Sequence, residues 1–197
     1  VTVLTQPSDY ADFIDEMNAE SGTTSYEFRK KMMSKTFNHT ADYDALIAQT
    51  MDHHTGTESL RLAFENGKTL RYGENAHQKA LFYREKGIAN SFHDMKILHG
   101  KELSYNNILD ISGAVNSIKE LTDSACAIIK HSNPCGLSQG SNQRQVLETA
   151  WQADPVSAFG SIIAFNQKLT LDTATFFELT NEDKSKRKFV EVIIAPD

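Results

Sequence analysis

Ala125-Cys126-Ala127-Ile128-Ile129 runs directly into Lys130-His131-Ser132-Asn133-Pro134-Cys135-Gly136. A short unbroken apolar run of this kind marks a strand covered on both faces, the habit of strands in parallel sheets flanked by helices. The polar segment after it concentrates chemistry: a Lys, a His, an Asn and a Cys arrive together where Pro and Gly shape the chain. In open parallel sheets, ligands bind beyond the carboxyl ends of the strands. A Lys–His pair in that position suits proton transfer, because imidazole titrates near neutrality and the adjacent ammonium stabilises developing negative charge. The alternative is a solvated loop whose His caps a backbone group.

The surroundings extend the strand–helix alternation. Ahead of the run, Ile108, Ile111, Val115, Ile118 and Leu121 fall at helical spacing; after it, Val146, Leu147, Ala150 and Trp151 do the same. A second apolar run spans Phe159 to Phe165. A third helix is expected around Phe176, Phe177 and Leu179 with Thr170 as its cap, and a third run spans Val190 to Ala195. Strands alternating with amphipathic helices predict an α/β fold with a mainly parallel sheet. Upstream, Asn66-Gly67 between Arg61–Glu65 and Lys68–Tyr72 predicts a type I′ hairpin. The first fifty residues read as a strand at Val1–Leu4 followed by three helices: one capped by Ser8 and ended by Gly22, one opened by a Thr24–Glu27 capping box, and one carrying Tyr43, Leu46, Ile47 and Met51. A boundary is expected near His53–Glu58, giving a first segment over 1–55 and a second over 56–197. An apolar start and an apolar end read as a chain cut from something longer.

Composition narrows the function classes. The 197 residues carry 20 Lys+Arg against 26 Asp+Glu, a formal charge of −6, with 40% hydrophobic residues. The chain is long enough to bury roughly 70% of its unfolded surface without disulfides. A pI near 5.6 argues against non-specific nucleic-acid binding. No apolar window is long enough for a membrane helix and no signal peptide is visible, so a cytoplasmic protein is expected. Two cysteines fit a reducing compartment. Zinc-deaminase spacing fails: after Pro134-Cys135 the second Cys position holds Ser138, and His131 is followed two residues on by Asn133 rather than Glu. Cys126 and Cys135 therefore read as packed thiols, and no metal is expected.

Three further segments carry polar chemistry. In Leu70–Lys79, Arg71 and Lys79 are candidate phosphate binders, Tyr72 a candidate stacking ring and His77 a second proton carrier. In His99–Asn107, Ser104, Asn106 and Asn107 precede a helix and read as hydrogen-bonding groups or caps. In Asp154–Gly160, Phe159 is either core or the wall of a ring-binding site.

Taken in order, LRYGENAHQ (Leu70–Gln78), LHGKELSYNN (Leu98–Asn107), IKHSNPCG (Ile129–Gly136), DPVSAFGSIIAF (Asp154–Phe165) and VEVIIAP (Val190–Pro196) resemble the bifunctional AICAR transformylase/IMP cyclohydrolase family of purine biosynthesis. The opening, Val1 to about Met51, resembles the tail of the cyclohydrolase domain, including Gly22-Thr23-Thr24-Ser25. The resemblance implies a cytidine-deaminase-like α/β fold for 56–197, preceded by a helical segment from the end of the cyclohydrolase domain over 1–55. It implies formyl transfer from 10-formyltetrahydrofolate, as co-substrate, to the 5-amino group of AICAR ribotide, giving FAICAR, with cyclisation to IMP in the full-length parent.

By residue, it implies that Lys130 and His131 are the catalytic pair. His131 would take the proton of the amino group, and Lys130 would assist the oxyanion or the leaving nitrogen. His77 is implied as a second site histidine. Arg71, Tyr72 and Asn106 would hold the ribotide, Arg71 at its phosphate, and Ser157, Phe159 and Gly160 would form the folate-side wall. Ala76 stands where family members often have Pro, so the loop carrying His77 is expected to be less preorganised. Family members work as homodimers and extend beyond Asp197, where much of the folate site lies. The competing expectation is a non-catalytic ribotide-binding or assembly fragment.

Overall fold

The computed structural model describes residues 1–88 and 92–197. In chain order these form α1 (Asp9–Ala19), α2 (Tyr26–Thr55), β1 (Phe64–Thr69), β2 (Leu81–Glu85), α3 (Tyr105–Ile118), β3 (Ser124–Lys130), β4 (Asn133–Gly140), α4 (Gln143–Ala153), α5 (Pro155–Ala158), β5 (Ile162–Phe165), α6 (Leu171–Ala174) and β6 (Val192–Ile194). Two compact units result: Val1–Glu65 with Glu85–Gly87, and Asn66–Arg84 with Ile88–Asp197.

The first unit is helical. Val1–Leu4 forms no strand, and the expected second and third helices are one continuous helix, α2, closed by Gly56 in the left-handed conformation at φ 70°. The polar stretch after Phe37 holds neither Gly nor Pro, so it contains no residue that ends the helix. Its cap is Ser25, whose hydroxyl accepts from the Phe28 amide at 3.1 Å, not Thr24. The Ser25 amide donates to Glu16 of α1 at 2.8 Å, so a carboxylate from the neighbouring helix takes the place expected for Glu27. Ser8 makes no side-chain cap at α1; the buried Asp9 carboxylate accepts from the amides of Thr5 and Gln6 at 3.2 and 3.3 Å. A hydrogen bond from the Lys35 ammonium holds that carboxyl below its ordinary range. Phe28 and Met32 supply the buried side chains between the helices, with the Phe13 ring 6.3 Å from that of Phe28.

β1 and β2 pair as a two-stranded sheet. Asn66-Gly67 is not the turn between two strands. Both residues lie inside β1, with Asn66 at φ 54°, and the partner strand comes after the 70–80 segment. The Asn-Gly signal marked a left-handed residue correctly and its setting wrongly: a kink within a strand needs positive φ as much as a hairpin turn does.

The second unit holds a four-stranded sheet in the order β4-β3-β5-β6. β3 is antiparallel to both β4 and β5, and only β5 and β6 are parallel. The sheet is mixed, which corrects the expectation of a mainly parallel one. Apolar runs report burial on both faces, not strand direction. Here α3 covers one face, packing Ile111, Ala114 and Ile118 on Ala125, Ala127 and Ile129 of β3. α4 covers the other, packing Val146, Leu147, Ala150 and Trp151 on Cys126, Ile128, Ile163 and Phe165. Phe176 and Phe177 are buried as expected, but in a 3-10 turn after the four-residue α6; Thr170 caps α6 through the Thr173 amide.

β4 is the strand that the sequence hid. The segment after β3 is not a long loop: His131 and Ser132 alone turn the chain, and Asn133–Gly140 returns along β3 with Lys130 opposite Asn133. Ile128 faces Gly136 while Ile129 faces Pro134, so Cys135 is an extra residue and the ladder bulges there. An edge strand with a bulge is where Pro is tolerated, since its missing N–H breaks no inner ladder.

α4 lies directly on the backbone of β4. A Cβ built on Gly136 would sit 2.0 Å from the Ala150 carbonyl oxygen, a clash with main chain that no rotamer relieves. At Gly140 the nearest heavy atom is a Val146 methyl at 3.4 Å. Gly136→Ala is therefore expected to cost about 3 kcal/mol or more in denaturant unfolding. Gly140→Ala should change stability by less than about 1 kcal/mol.

Candidate active site

The segments singled out in the sequence are brought together by main-chain hydrogen bonds. The Arg71 amide donates to Leu103 O at 2.9 Å and the Tyr105 amide to Tyr72 O at 3.0 Å, so 71–72 runs beside the start of α3. That start is capped reciprocally. The Ser104 hydroxyl accepts from the Asn107 amide at 3.3 Å, and Asn107 Oδ1 accepts from the Ser104 amide at 2.9 Å. Unpaired N–H groups at a helix N-terminus favour anions nearby.

A cleft of about 460 Å³ opens over this end of α3, the β3–β4 turn and the approach to β6; Tyr72, Asn106, Lys130, His131 and Gly160 line it. So do Glu74, Asn107, Asp110, Ser132 and Glu191, which the sequence reading did not select as site residues. Helical spacing was the available signal for Asp110, since Asn106, Asn107 and Asp110 share one face of α3. Nothing local marked Glu191, which reaches the cleft through the parallel pairing of β6 with β5.

Lys130 is fixed by two carbonyls. Its Nζ donates to Phe159 O at 2.8 Å and Gly160 O at 3.0 Å, leaving one of its three donors for another acceptor. Backbone conformation favours glycine at position 160. Its φ is 70°, and a Cβ there would come within 3.2 Å of Lys130 Nζ. The adjacent Phe159 is 58% exposed, and its ring centroid lies 5.5 Å from that of Phe189. Ser157 stands apart from the cleft lining, in the first turn of α5, where its amide donates to Asp154 Oδ1 at 3.0 Å. Hydrogen bonds from Ser157 hold the Asp154 carboxyl below its usual range.

His131 and Ser132 both occupy the left-handed region, at φ 52° and 63°. A two-residue hairpin turn of this form favours Asn-Gly, and non-glycine residues there cost about 1–2 kcal/mol each. The Ser132 amide and hydroxyl both donate to Asp110 Oδ1, at 2.8 and 3.3 Å. Asn133 Nδ2 donates to the His131 carbonyl at 3.0 Å.

The Arg71 guanidinium stacks 4.9 Å from the Tyr72 ring centroid and stands 3.7 Å from a Glu191 carboxylate oxygen, which also accepts from Asn107 Nδ2 at 3.2 Å. Asn106 Nδ2 donates to the carbonyl of Glu74, another residue of the cleft lining, at 3.1 Å. His77 is exposed and is not part of the cleft lining. Its loop is closed by Gln78, whose carbonyl accepts from the Gly73 amide at 2.9 Å and whose Oε1 accepts from the Asn75 amide at 2.8 Å. Among the described residues no three His, Cys, Asp or Glu side chains gather into a candidate metal site.

Neither thiol is poised as a nucleophile. Burial pushes Cys126 up to about 12, and burial raises Cys135 as well, with its Sγ 3.5 Å from the Ile128 carbonyl oxygen.

The whole chain, residues 1–197, matches the sequence profile of the AICARFT/IMPCHase bienzyme. The chain belongs to that family. Among its curated relatives are proteins named bifunctional purine biosynthesis protein PurH: from Halalkalibacterium halodurans, 42% identical over 200 residues; from Persephonella marina, 42% over 206; and from Listeria monocytogenes, 41% over 200. Each alignment covers 100% of this chain and 37–38% of the relative, so the chain spans well under half the length of the AICARFT/IMPCHase proteins it matches.

The thiol environments give a direct check. In native protein at pH 8, a maleimide or disulfide reagent should leave Cys126 unmodified and react with Cys135 more slowly than with free cysteine. Both should titrate in denaturant. Rapid native labelling of Cys126 would contradict its placement in the core.

Proposed function

We propose that this chain is the part of a bifunctional purine biosynthesis enzyme that carries the Lys–His side of its AICAR transformylase site. On this reading, residues 1–55 belong to the end of the cyclohydrolase domain and 56–197 to the transformylase domain, with the cytidine-deaminase-like fold of that family. One observation carries the reading: a fixed ammonium, an imidazole on a two-residue turn and the neighbourhood of a stacked Arg–Tyr pair converge on one cleft.

In the proposed reaction, AICAR ribotide lies in the cleft with its phosphate at Arg71 and its heterocycle near Tyr72 and the α3 N-terminus. Asn107 and Asn106 offer amide groups to the carboxamide. The 5-amino group faces His131, which takes its proton as nitrogen bonds to the formyl carbon, and the Lys130 donor stabilises the developing oxyanion. Collapse of this adduct breaks the bond between the formyl carbon and the folate N10; the proton taken by His131 passes to that nitrogen, and tetrahydrofolate leaves with FAICAR formed. The Lys130 ammonium is already held by two carbonyls, so little reorganisation accompanies the step. The co-substrate 10-formyltetrahydrofolate supplies the one-carbon unit. The exposed Phe159–Phe189 pair, backed by Gly160 and near Ser157, offers it an aromatic wall. His77 is proposed as a second site histidine that reaches the reacting groups only with further parts of the protein in place.

The full-length parent is proposed to be a cytoplasmic homodimer that also closes FAICAR to IMP. Among the described residues no helix is long and apolar enough to cross a membrane. The chain's short share of its relatives' length favours a second reading for the chain taken alone, ribotide binding or assembly without turnover.

The test is formyl transfer in the full-length protein. His131→Ala should lower kcat by roughly 10²–10⁴-fold with the ribotide KM little changed. An unchanged kcat would overturn the assignment of His131 as the base.

A further inference from the structure

The cleft contains a carboxylate with no assigned part in the chemistry, and its contacts point to one role. Asp110 lies on α3 one turn beyond Asn106, and its Oδ1 receives both the amide and the hydroxyl of Ser132. In a two-residue hairpin the ladder takes no bond from the amide of the second turn residue. Asp110 fills that vacancy from a different element.

The turn has reason to need it. His131 and Ser132 sit at φ 52° and 63°, a conformation natural to Asn-Gly and strained for His-Ser. The hydrogen bond from Asn133 to the His131 carbonyl is local to the hairpin. Among the described residues, the Asp110 hydrogen bonds are the side-chain bonds that tie the turn to α3, whose Ile111 and Ala114 are packed on β3.

We propose that Asp110 is a positioning residue that holds the His131–Ser132 turn left-handed and so fixes where the imidazole points. Its kinetic consequence rests on the proposed role of His131; its structural consequence does not. A turn released from Asp110 relaxes to negative φ at His131, swinging the side chain away from Lys130, whose own anchors at Phe159 and Gly160 are untouched. Misplacing a reacting group by an ångström is enough to cost turnover without costing binding.

The experiment compares Asp110→Ala, Asp110→Asn, Asp110→Glu and the double variant Asp110→Ala/Ser132→Gly in the full-length protein. Asp110→Ala should lower kcat by about 10–100-fold while the ribotide KM stays within about threefold. Asp110→Asn, whose amide oxygen still accepts from the Ser132 amide, should retain most of the activity. Adding Ser132→Gly to Asp110→Ala should recover most of the loss, because glycine adopts the left-handed conformation without strain. That rescue is not expected if Asp110 only stabilises α3.

If Asp110→Ala does not fold, Asp110→Glu keeps charge and helix but displaces the oxygen by a methylene, and its kcat should fall with KM held. A crystal structure of the folded Ala or Glu variant supplies a readout independent of activity: His131 should leave its left-handed φ. An unshifted φ, or an unchanged kcat in folded Ala and Glu variants, overturns the proposal. A wild-type protein without formyl transfer would overturn the proposed function, while the φ readout would still judge Asp110.

Discussion

β3 is enclosed on both faces, and it ends in a turn of only two residues. Ala125, Ala127 and Ile129 face α3, and Cys126 and Ile128 face α4. That double burial leaves the strand no freedom to slip, because a shift of one residue would exchange the two faces. The end of the strand is therefore a fixed point. Lys130 and His131 are delivered there without a flexible tether, and the strain of the left-handed turn is borne by the packing behind it. The contacts that fix Lys130, and those that hold the turn, all come from elements docked on this same sheet.

The electrostatics of the cleft follow from that frame. A negative carboxylate, Glu191, lies between Arg71 and Asn107, and the N-terminus of α3 adds a positive end of its dipole. In the absence of ligand, Glu191 partly neutralises Arg71. On the proposed reading, a ribotide phosphate would compete with Glu191 for the guanidinium, and its two negative charges favour it over one carboxylate.

How much of this could be read from the sequence differs by element. The helices around Ile111 and Val146 were legible because their apolar spacing is regular. The strand at 125–129 was legible because it is buried throughout. Its direction was not, since two-sided burial looks the same in either orientation. β4 was hidden because Asn133-Pro134-Cys135-Gly136 carries turn-forming residues in an edge strand, where a bulge and close backbone packing permit them. The turn at His131-Ser132 was hidden for the opposite reason: it needs positive φ and has neither Gly nor Asn. Of the residues that the resemblance singled out, Lys130, His131, Tyr72, Asn106 and Gly160 share one cleft, while Arg71, Ser157 and Phe159 are not part of its lining. Asp110 and Glu191 were not singled out, because one is visible only as part of a helix face and the other only through strand pairing. His77 was singled out by its neighbours in sequence and stands outside the cleft lining.

The most direct test of the account concerns Arg71, which the resemblance assigns to the ribotide phosphate and which stands against Tyr72 and Glu191 of the cleft lining. Calorimetric titration of the full-length protein with AICAR ribotide, beside an Arg71→Ala variant of equal thermal stability, isolates it. Loss of the guanidinium also leaves Glu191 unneutralised beside the incoming phosphate, so the account predicts at least roughly tenfold weaker binding by the variant. Equal affinities would contradict the placement of the ribotide in this cleft.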